Sequence, residues 1–488
     1  MLTTLIFEAK ALHVYPHETL LEALKRNGFP IAAGCGGKNR CGSCRIRLLS
    51  GLYEHDGKLL SVSENAPVEA NACRLKMLSN GKAEYLSKKA TGNSSDTSVL
   101  RLPELSADSP STLVFDLGTT NIEAALLENG KIIRTALRNQ QTVFGDNVIE
   151  RIAFSAEYSG REKLITSLIE ETCLPLIRQL TDSPGKIQQV FAAGNTAMTH
   201  FFFNADTEKL GKAPFQPEKL SFQGTARSTG LSVLNPDTPV KAIPCLGGFI
   251  GGDVTAGLIH SGFSSDNSCA LYMDIGTNCE MLLKANGQCY ALSAAAGPAF
   301  ERGNLRSDDT DAVRHISFSQ DKWQIIPPAP HVRGFCGTAL VDLLAEGRRH
   351  GFLDSFAKWQ KTPDLPGIEH CSNAVLSELI SAKAAIESGL KLLLKYANIT
   401  ENKIDKVYLA GNFAEHLNIA NAVSVRLLPA LSCDNFIRCG NASLAGTLAC
   451  AVSPELLNET ETIQRNTMLI NPAEDPDYMR LFTLSMNI

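Results

Sequence analysis

Apolar residues along this chain fall into two kinds of run. Short unbroken runs end at aspartate or glycine: LVF before Asp116, LYM before Asp274, VFAA before Gly194 and VYLA before Gly411. Runs of this length bounded by turn residues predict buried strands. Longer stretches, EKLITSLIEETCLPLIRQL from Glu162 and ELISAKAAIESGLKLLLKYA from Glu378, predict helices. In the second, Ile380, Ala384, Ile386, Leu390 and Leu393 or Leu394 stand close to helical spacing, a stripe that core packing explains.

The strand pattern occurs twice. LVFDLGTTNIEAALLENGKI from Leu113 returns as LYMDIGTNCEMLLKANGQC from Leu271, so Asp116 matches Asp274 and Gly118 matches Gly276. Each copy runs through a Gly-Thr turn into a second strand and an Asn-Gly hairpin signal, Asn129-Gly130 or Asn286-Gly287. VFAAGNTAMTH from Val190 likewise returns as VYLAGNFAEHL from Val407, with Gly194-Asn195 matching Gly411-Asn412. Two matched pairs in the same order point to a duplicated α/β unit.

The residue types at these turns suit phosphate. Backbone amides and the hydroxyls of Thr119 and Thr120 can donate to phosphate oxygens, and an aspartate can hold Mg2+ directly or through water. Two such turns facing each other would clamp a nucleotide from both sides. In LGGFIGGDVTAG, Asp253 stands in a glycine-rich turn suited to a metal or an attacking water, or else near a helix N-terminus. RGFCGTALVDLL, around Gly337 and Thr338, reads as a loop entering a helix that could meet nucleotide. There is no Walker A lysine motif, which disfavours the P-loop class. A lone histidine such as His200 reads as structural.

Cysteine changes the picture near the N-terminus. Of 14 cysteines most are scattered singly, but Cys35, Cys41, Cys44 and Cys73 form C-x5-C-x2-C-x28-C. Four thiolates can take zinc or an iron–sulfur cluster; zinc ribbons pair two C-x2-C knuckles, whereas here three ligands precede one distant cysteine, which favours [2Fe-2S]. Nearby Lys38, Arg40, Arg45 and Arg47 offer either a solvated basic face or a guide for an acidic partner. The segment after residue 88 is rich in Ser, Thr, Asp and Pro and reads as a linker. The reading is thus a cluster domain over 1–88, a flexible linker over 89–111 and two lobes over 112–265 and 266–488.

With 46 basic against 51 acidic residues, net charge −5, the chain lacks the positive field that collects nucleic acid or anionic membrane. Its longest apolar runs fall short of the roughly 18–20 residues of a span. No secretory leader is visible, so a cytoplasmic location is expected.

These motifs carry resemblances. The cluster spacing is similar to that of adrenodoxin-like ferredoxins, and ETLLEALKRNGFPI resembles the helix preceding the cluster loop in β-grasp ferredoxins. The duplicated turns resemble the superfamily of actin, sugar kinases and heat-shock chaperone ATPases, in which two ribonuclease-H-like halves close on ATP. That resemblance implies phosphate motifs at Asp116, Gly118, Thr119, Thr120 and Asn121 and at Asp274, Gly276, Thr277 and Asn278, with an adenosine motif at Gly411 and Asn412. Together with CGGKNRCGSC, FGDNVIERI, AAGPAFERG, KAAIESG and GNASLAG, the whole chain resembles the reductive activators of corrinoid-dependent enzymes. The implied fold class is α+β and α/β multidomain, a β-grasp ferredoxin joined to a two-lobed actin-type ATPase.

The implied activity is ATP-dependent transfer of one electron from a [2Fe-2S] cluster to an inactive Co(II) corrinoid on a partner protein or methyltransferase component, restoring Co(I). ATP, Mg2+ and an upstream electron donor are implied with it, and a homodimer is left open. The family's members are usually longer, with a further middle domain before the ATPase; here only the linker intervenes. Cys279 and Arg302 stand where the family pattern has glycine. Competing readings are a redox-sensing nucleotide-binding adaptor and an ATP-dependent electron donor to another low-potential enzyme, like the activators of 2-hydroxyacyl-CoA dehydratases.

Overall fold

The computed structural model describes residues 3–27, 29, 31, 44–85, 109–145, 147–213, 215–297, 299–302, 313–326, 332 and 334–488. Cys35, Cys41, Lys38, Arg40 and nearly all of the expected linker lie outside these residues.

The N-terminal part is a mixed sheet packed against a short helix. Its elements are β1 (Thr3–Phe7), β2 (Lys10–Val14), α1 (Leu20–Arg26), β3 (Arg45–His55), β4 (Lys58–Val62), β5 (Val68–Asn71), β6 (Leu75–Met77) and β7 (Gly81–Tyr85). The order is β2-β1-β7-β3-β4, with β5 and β6 also on β3. β1 runs parallel to β7 and antiparallel to β2, so the sheet grips α1 in β-grasp fashion. The helix begins where its sequence provides a cap: Thr19 and Glu22 satisfy each other's backbone amides. Leu20, Leu21, Ala23 and Leu24 then enter the core.

The first lobe contains β8 (Thr112–Leu117), β9 (Asn121–Glu128), β10 (Lys131–Arg138), α2 (Val148–Ser155), α3 (Gly160–Leu168), α4 (Leu174–Leu180), β11 (Gln189–Gly194), α5 (Thr196–Phe202), β12 (Gln223–Thr225), α6 (Ala226–Thr229), β13 (Pro239–Ala242) and α7 (Gly252–Ser261). Its sheet order is β10-β9-β8-β11-β13-β12. The second holds β14 (Ala270–Ile275), β15 (Cys279–Ala285), β16 (Gln288–Ala294), α8 (Ala299–Arg302), the hairpin β17 (His315–Ser319) and β18 (Lys322–Ile326), α9 (Gly337–Arg349) and α10 (Asn373–Ala397). It continues with β19 (Lys406–Ala410), α11 (Asn412–Glu415), α12 (Ile419–Ser424), β20 (Phe436–Arg438), α13 (Ala442–Val452), α14 (Pro454–Asn466), β21 (Thr467–Leu469) and α15 (Tyr478–Leu484). Its order is β20-β19-β14-β15-β16-β21.

The duplication is visible in register. Each lobe has an antiparallel hairpin, β8–β9 or β14–β15, beside a parallel strand, β11 or β19. The hairpin signals form as expected: Asn129 and Gly130 adopt φ 51° and 71°, Asn286 and Gly287 φ 53° and 75°. The helix expected from Glu162 differs in one respect. Between α3 and α4, residues Ile169–Cys173 form a π turn, with the Leu174 amide donating to the Ile169 carbonyl. Pro175 follows directly, and a ring without an N–H cannot continue the α ladder, so the chain takes up the extra residue there.

Helices α7 and α13 lie between the two sheets, and α7 packs on both, with Ala256 and Ile259 against the first. Val254 and Leu258 of α7 pack with Ala270, Tyr272, Leu282 and Tyr408 of the second sheet. Leu444 and Leu448 of α13 pack with Val114, Ala125, Phe191 and Ala193 of the first. Lys284 fastens the end of α7 to the second sheet by donating to the carbonyls of Phe263, Ser264 and Asp266 at 2.5, 2.9 and 2.6 Å. Where the helices cross, a Cβ on Gly446 would sit 1.9 Å from the Ala256 carbonyl oxygen. Backbone cannot retreat as a flexible side chain can, so Gly446→Ala should cost about 1–3 kcal/mol of stability. Thermal melting of the full chain tests this; an unchanged midpoint would mean that the crossing is looser than its geometry.

Candidate functional site

Three aspartates from three elements meet where α7 and α13 cross between the sheets. Asp116 ends β8 and Asp274 ends β14, the equivalent places in the two copies. Asp253 is the second residue of α7, after the cap Gly251. Its Oδ1 accepts from the Val254 amide at 2.9 Å, so it serves the helix start while its charge is felt at the site. Burial, with the neighbouring charge of Asp274, pushes the Asp253 carboxyl up to about 7. Burial also raises Asp116 to about 6, against hydrogen bonds from Ser443 and Asn441 that pull it down and the Asp253 charge that adds to the rise.

A fourth carboxylate was not singled out from the sequence. Glu280 lies directly across from Asp274 in the β14–β15 register and accepts from Ser293 Oγ at 2.9 Å. Burial, then the charges of Asp274 and Asp253, hold it well above the usual carboxylate range. Glu123 stands across from Asp116 in the same way. The signal was present in the repeat, but the turns differ by one residue, GTTN against GTN, which hides the equivalence.

The first phosphate-type turn is braced from behind. Asn139 Nδ2 donates to the Gly118 carbonyl at 3.0 Å, and the Asn139 amide donates to the Thr120 carbonyl at 2.9 Å. Arg151, fully buried, donates to the carbonyls of Thr119 at 2.6 Å and Gly145 at 2.9 Å and to Gln141 Oε1 at 3.1 Å. Asn195 caps α5 through the Met198 amide and gives its Nδ2 to Thr119 Oγ1 at 3.0 Å. That joins the two first-lobe motifs of the repeat. Asn121 opens β9, with its carbonyl filling the space beside Gly118.

In the second turn the Gly276 amide donates to the Asn278 carbonyl at 2.8 Å, with Thr277 between them. Gly411 has φ 87°, and a Cβ there would lie 2.8 Å from Asp274 Oδ1. The glycine therefore lets the β19–α11 turn pass against the second-turn aspartate, while Asn412 is exposed. Gly337 and Thr338 begin α9 but are taken up locally: a Gly337 Cβ would overlap the Phe300 carbonyl, and Thr338 Oγ1 donates to the Arg314 carbonyl at 2.6 Å. Phe300, against whose carbonyl Gly337 packs, has its ring 5.5 Å from that of Phe413 beside the Gly411 turn.

The remaining chemistry is in the N-terminal sheet. Cys44 precedes β3 and Cys73 lies in the turn after β5; pairing of Arg45 with Asn71 closes the long gap between them. The Ala72 amide donates to the Cys44 carbonyl at 2.7 Å and the Cys73 amide to Cys44 Sγ at 3.4 Å. Amide donation to a cysteine sulfur suits an iron–sulfur ligand, so this pair fits the cluster. Arg45 and Arg47 are paired with Glu69 at 3.0 and 3.3 Å and Arg47 also with Glu84 at 3.5 Å, two cations against two carboxylates, which leaves little net charge there for steering. His200 is buried, with Nδ1 2.7 Å from the Thr196 carbonyl and its ring edge on Phe222, a structural role. Cys279 is buried in the second-lobe core. Among the described residues no three His, Cys, Asp or Glu side chains converge as direct metal ligands.

Family models match nearly the whole chain: a 2Fe-2S iron–sulfur cluster binding domain over 8–78, the RACo middle region over 111–266, and the C-terminal RACo domain, described as the ASKHA domain, over 268–488. The chain belongs to the reductive activators of corrinoid proteins. The family's middle region falls on the span read as the first ATPase lobe. Relatives in this family include the corrinoid activation enzyme RamQ of Eubacterium limosum, 28% identical over 421 residues, covering 76% of this chain and 69% of that one. A second is the [Co(II) methylated amine-specific corrinoid protein] reductase of Methanosarcina barkeri, 22% identical, covering 68% of each. The fold is that of a solved reductive activator for corrinoid, iron-sulfur protein: TM-score 0.67, 24% identity, 100% of this chain and 98% of that one. The family places an iron–sulfur domain and an actin-like domain on one oxidoreductase chain. None of the helices described is long and apolar enough to cross a membrane.

Proposed function

We propose that this chain uses ATP to deliver one electron from a [2Fe-2S] cluster on Cys35, Cys41, Cys44 and Cys73 to the Co(II) corrinoid of a partner protein, regenerating Co(I). The observation that carries the reading is the row Asp116, Asp253, Asp274, set where two copies of one turn meet, in a chain that also brings Cys44 and Cys73 together. When bound, the cluster supplies a one-electron store near about −400 mV, and every roughly 59 mV of gap to a lower acceptor is tenfold in equilibrium. ATP can offset such a gap only by binding two conformations differently.

The chain's own residues suit that task. Asp116 and Asp274 would hold Mg2+ through its waters, with the turns at Gly118–Asn121 and Gly276–Asn278 donating to phosphate. Asp253 would accept the proton of the attacking water as the new P–O bond forms and the bond to the ADP oxygen breaks. The Gly411–Asn412 turn would border the adenosine. An upstream donor reloads the cluster, and the location proposed is the cytoplasm.

The test is anaerobic mixing of the reduced protein with Co(II) corrinoid proteins of the same organism, following the cobalt spectrum with and without Mg-ATP. Co(I) formed faster or further with ATP supports the reading. Reduction indifferent to ATP would make the cleft a sensor, and no Co(I) with an intact cluster signal would point to another low-potential acceptor.

A further inference from the structure

The aspartate of the first turn is held by residues more than 300 positions later in the chain. Ser443 Oγ donates to Asp116 Oδ1 at 2.7 Å, and Asn441 Nδ2 lies 3.4 Å from Oδ2. Both belong to the start of α13: Asn441 is its cap, accepting from the Leu444 amide at 3.2 Å, and the Ser443 carbonyl accepts from Thr447 Oγ1 at 2.7 Å one turn on. The partial positive end of an 11-residue helix thus faces a half-buried carboxylate from the other lobe.

We infer that Ser443 is a positioning residue for Asp116, and that through this hydrogen bond α13 registers whether the first phosphate turn is loaded. The inference rests on the reading that Asp116 serves Mg-nucleotide. A carboxylate has about four acceptor sites, so two donors from α13 fix its orientation and leave capacity for metal-bound water. Any shift of the Asp116 carboxylate toward a hydrated Mg2+ would then carry the end of α13 with it or break the Ser443 bond. The helix cannot absorb that locally, because Gly446 leaves no gap against Ala256 of α7, the helix that carries Asp253. Displacement at one end passes to the crossing as a rigid movement. The contact gives the cleft a route to both sheets, since α13 packs on the first through Leu444 and Leu448 and α7 packs on both.

The experiment uses the full-length holoprotein, a non-hydrolysable ATP analogue with Mg2+, calorimetry, and hydrogen exchange of residues 442–452. The wild type should bind the analogue and slow exchange along α13. Ser443→Ala should still bind, within about threefold, but lose that protection and lower the ATPase kcat by about tenfold with little change in KM, a loss of positioning rather than of binding. Ser443→Thr, which keeps the hydroxyl, should restore both; Ser443→Cys, similar in volume and a weak donor, gives a second loss variant. Protection and kcat that survive in the Ala and Cys variants would overturn this inference alone. A wild type that binds no analogue would overturn the nucleotide reading, and this inference with it.

Discussion

Asp253→Asn is expected to slow ATP hydrolysis by about 10²–10⁴-fold, the range for loss of a positioned general base. The residue sits between the two turn aspartates, at the start of a helix clamped to both lobes, and burial raises it to about 7. A base in that range changes charge near neutrality. Only the ionised form accepts a proton, so wild-type kcat/KM should rise from about pH 6 to about pH 8 as Asp253 deprotonates, and the Asn variant should be flat there. The amide keeps the shape and removes a buried charge that Asp274 and Asp116 oppose, so the variant should fold at least as well. Steady-state rates across pH with a parallel melt decide the matter. A limb that stays centred near pH 7 in the variant would deny Asp253 the role, whereas one confined to about pH 6 would belong to Asp116.

Cys73→Ser should remove the cluster while leaving the cleft intact. Cys73 is the distant member of the proposed ligand set, brought to Cys44 by strand pairing. A serine oxygen is a poor substitute for a thiolate on iron, and the three remaining cysteines leave one iron short of a ligand. Iron content should fall from about two per chain toward zero, with loss of visible absorbance and of the reduced-state paramagnetic signal. Nucleotide binding, built from residues after Thr112, should be unchanged. A variant that keeps iron and its spectrum would show that the fourth ligand lies elsewhere among the chain's other cysteines.

What could be read from sequence was whatever repeats or is local. Asp116 and Asp274 are legible because strand, aspartate and Gly-Thr turn recur in order, and the hairpins because Asn-Gly accepts left-handed backbone at both positions. The spacing of the cysteines pointed to the cluster, and the 2Fe-2S family match supports it. Contacts fixed by tertiary register were not legible. Glu280 reaches Asp274 only because a three-residue turn sets the strands opposite each other, and Ser443 reaches Asp116 only because α13 crosses to the other sheet. Arg151 reads as a surface charge on an amphipathic helix until Thr119, Gly145 and Gln141 surround its guanidinium. Gly337 and Thr338 show the converse, a glycine-threonine pair that serves a helix start and its neighbours.

The packing of α7 and α13 between the sheets bears on how the molecule can be divided. A cut at residue 265, between the lobes in chain order, would part each sheet from a helix that packs on it. The N-terminal fragment would lack Leu444 and Leu448 over Val114 and Phe191; the C-terminal one would lack Val254 and Leu258 over Tyr272 and Tyr408. Each piece would expose the apolar face that the lost helix covers, so the two fragments, co-expressed, should associate through these faces rather than behave as independent domains.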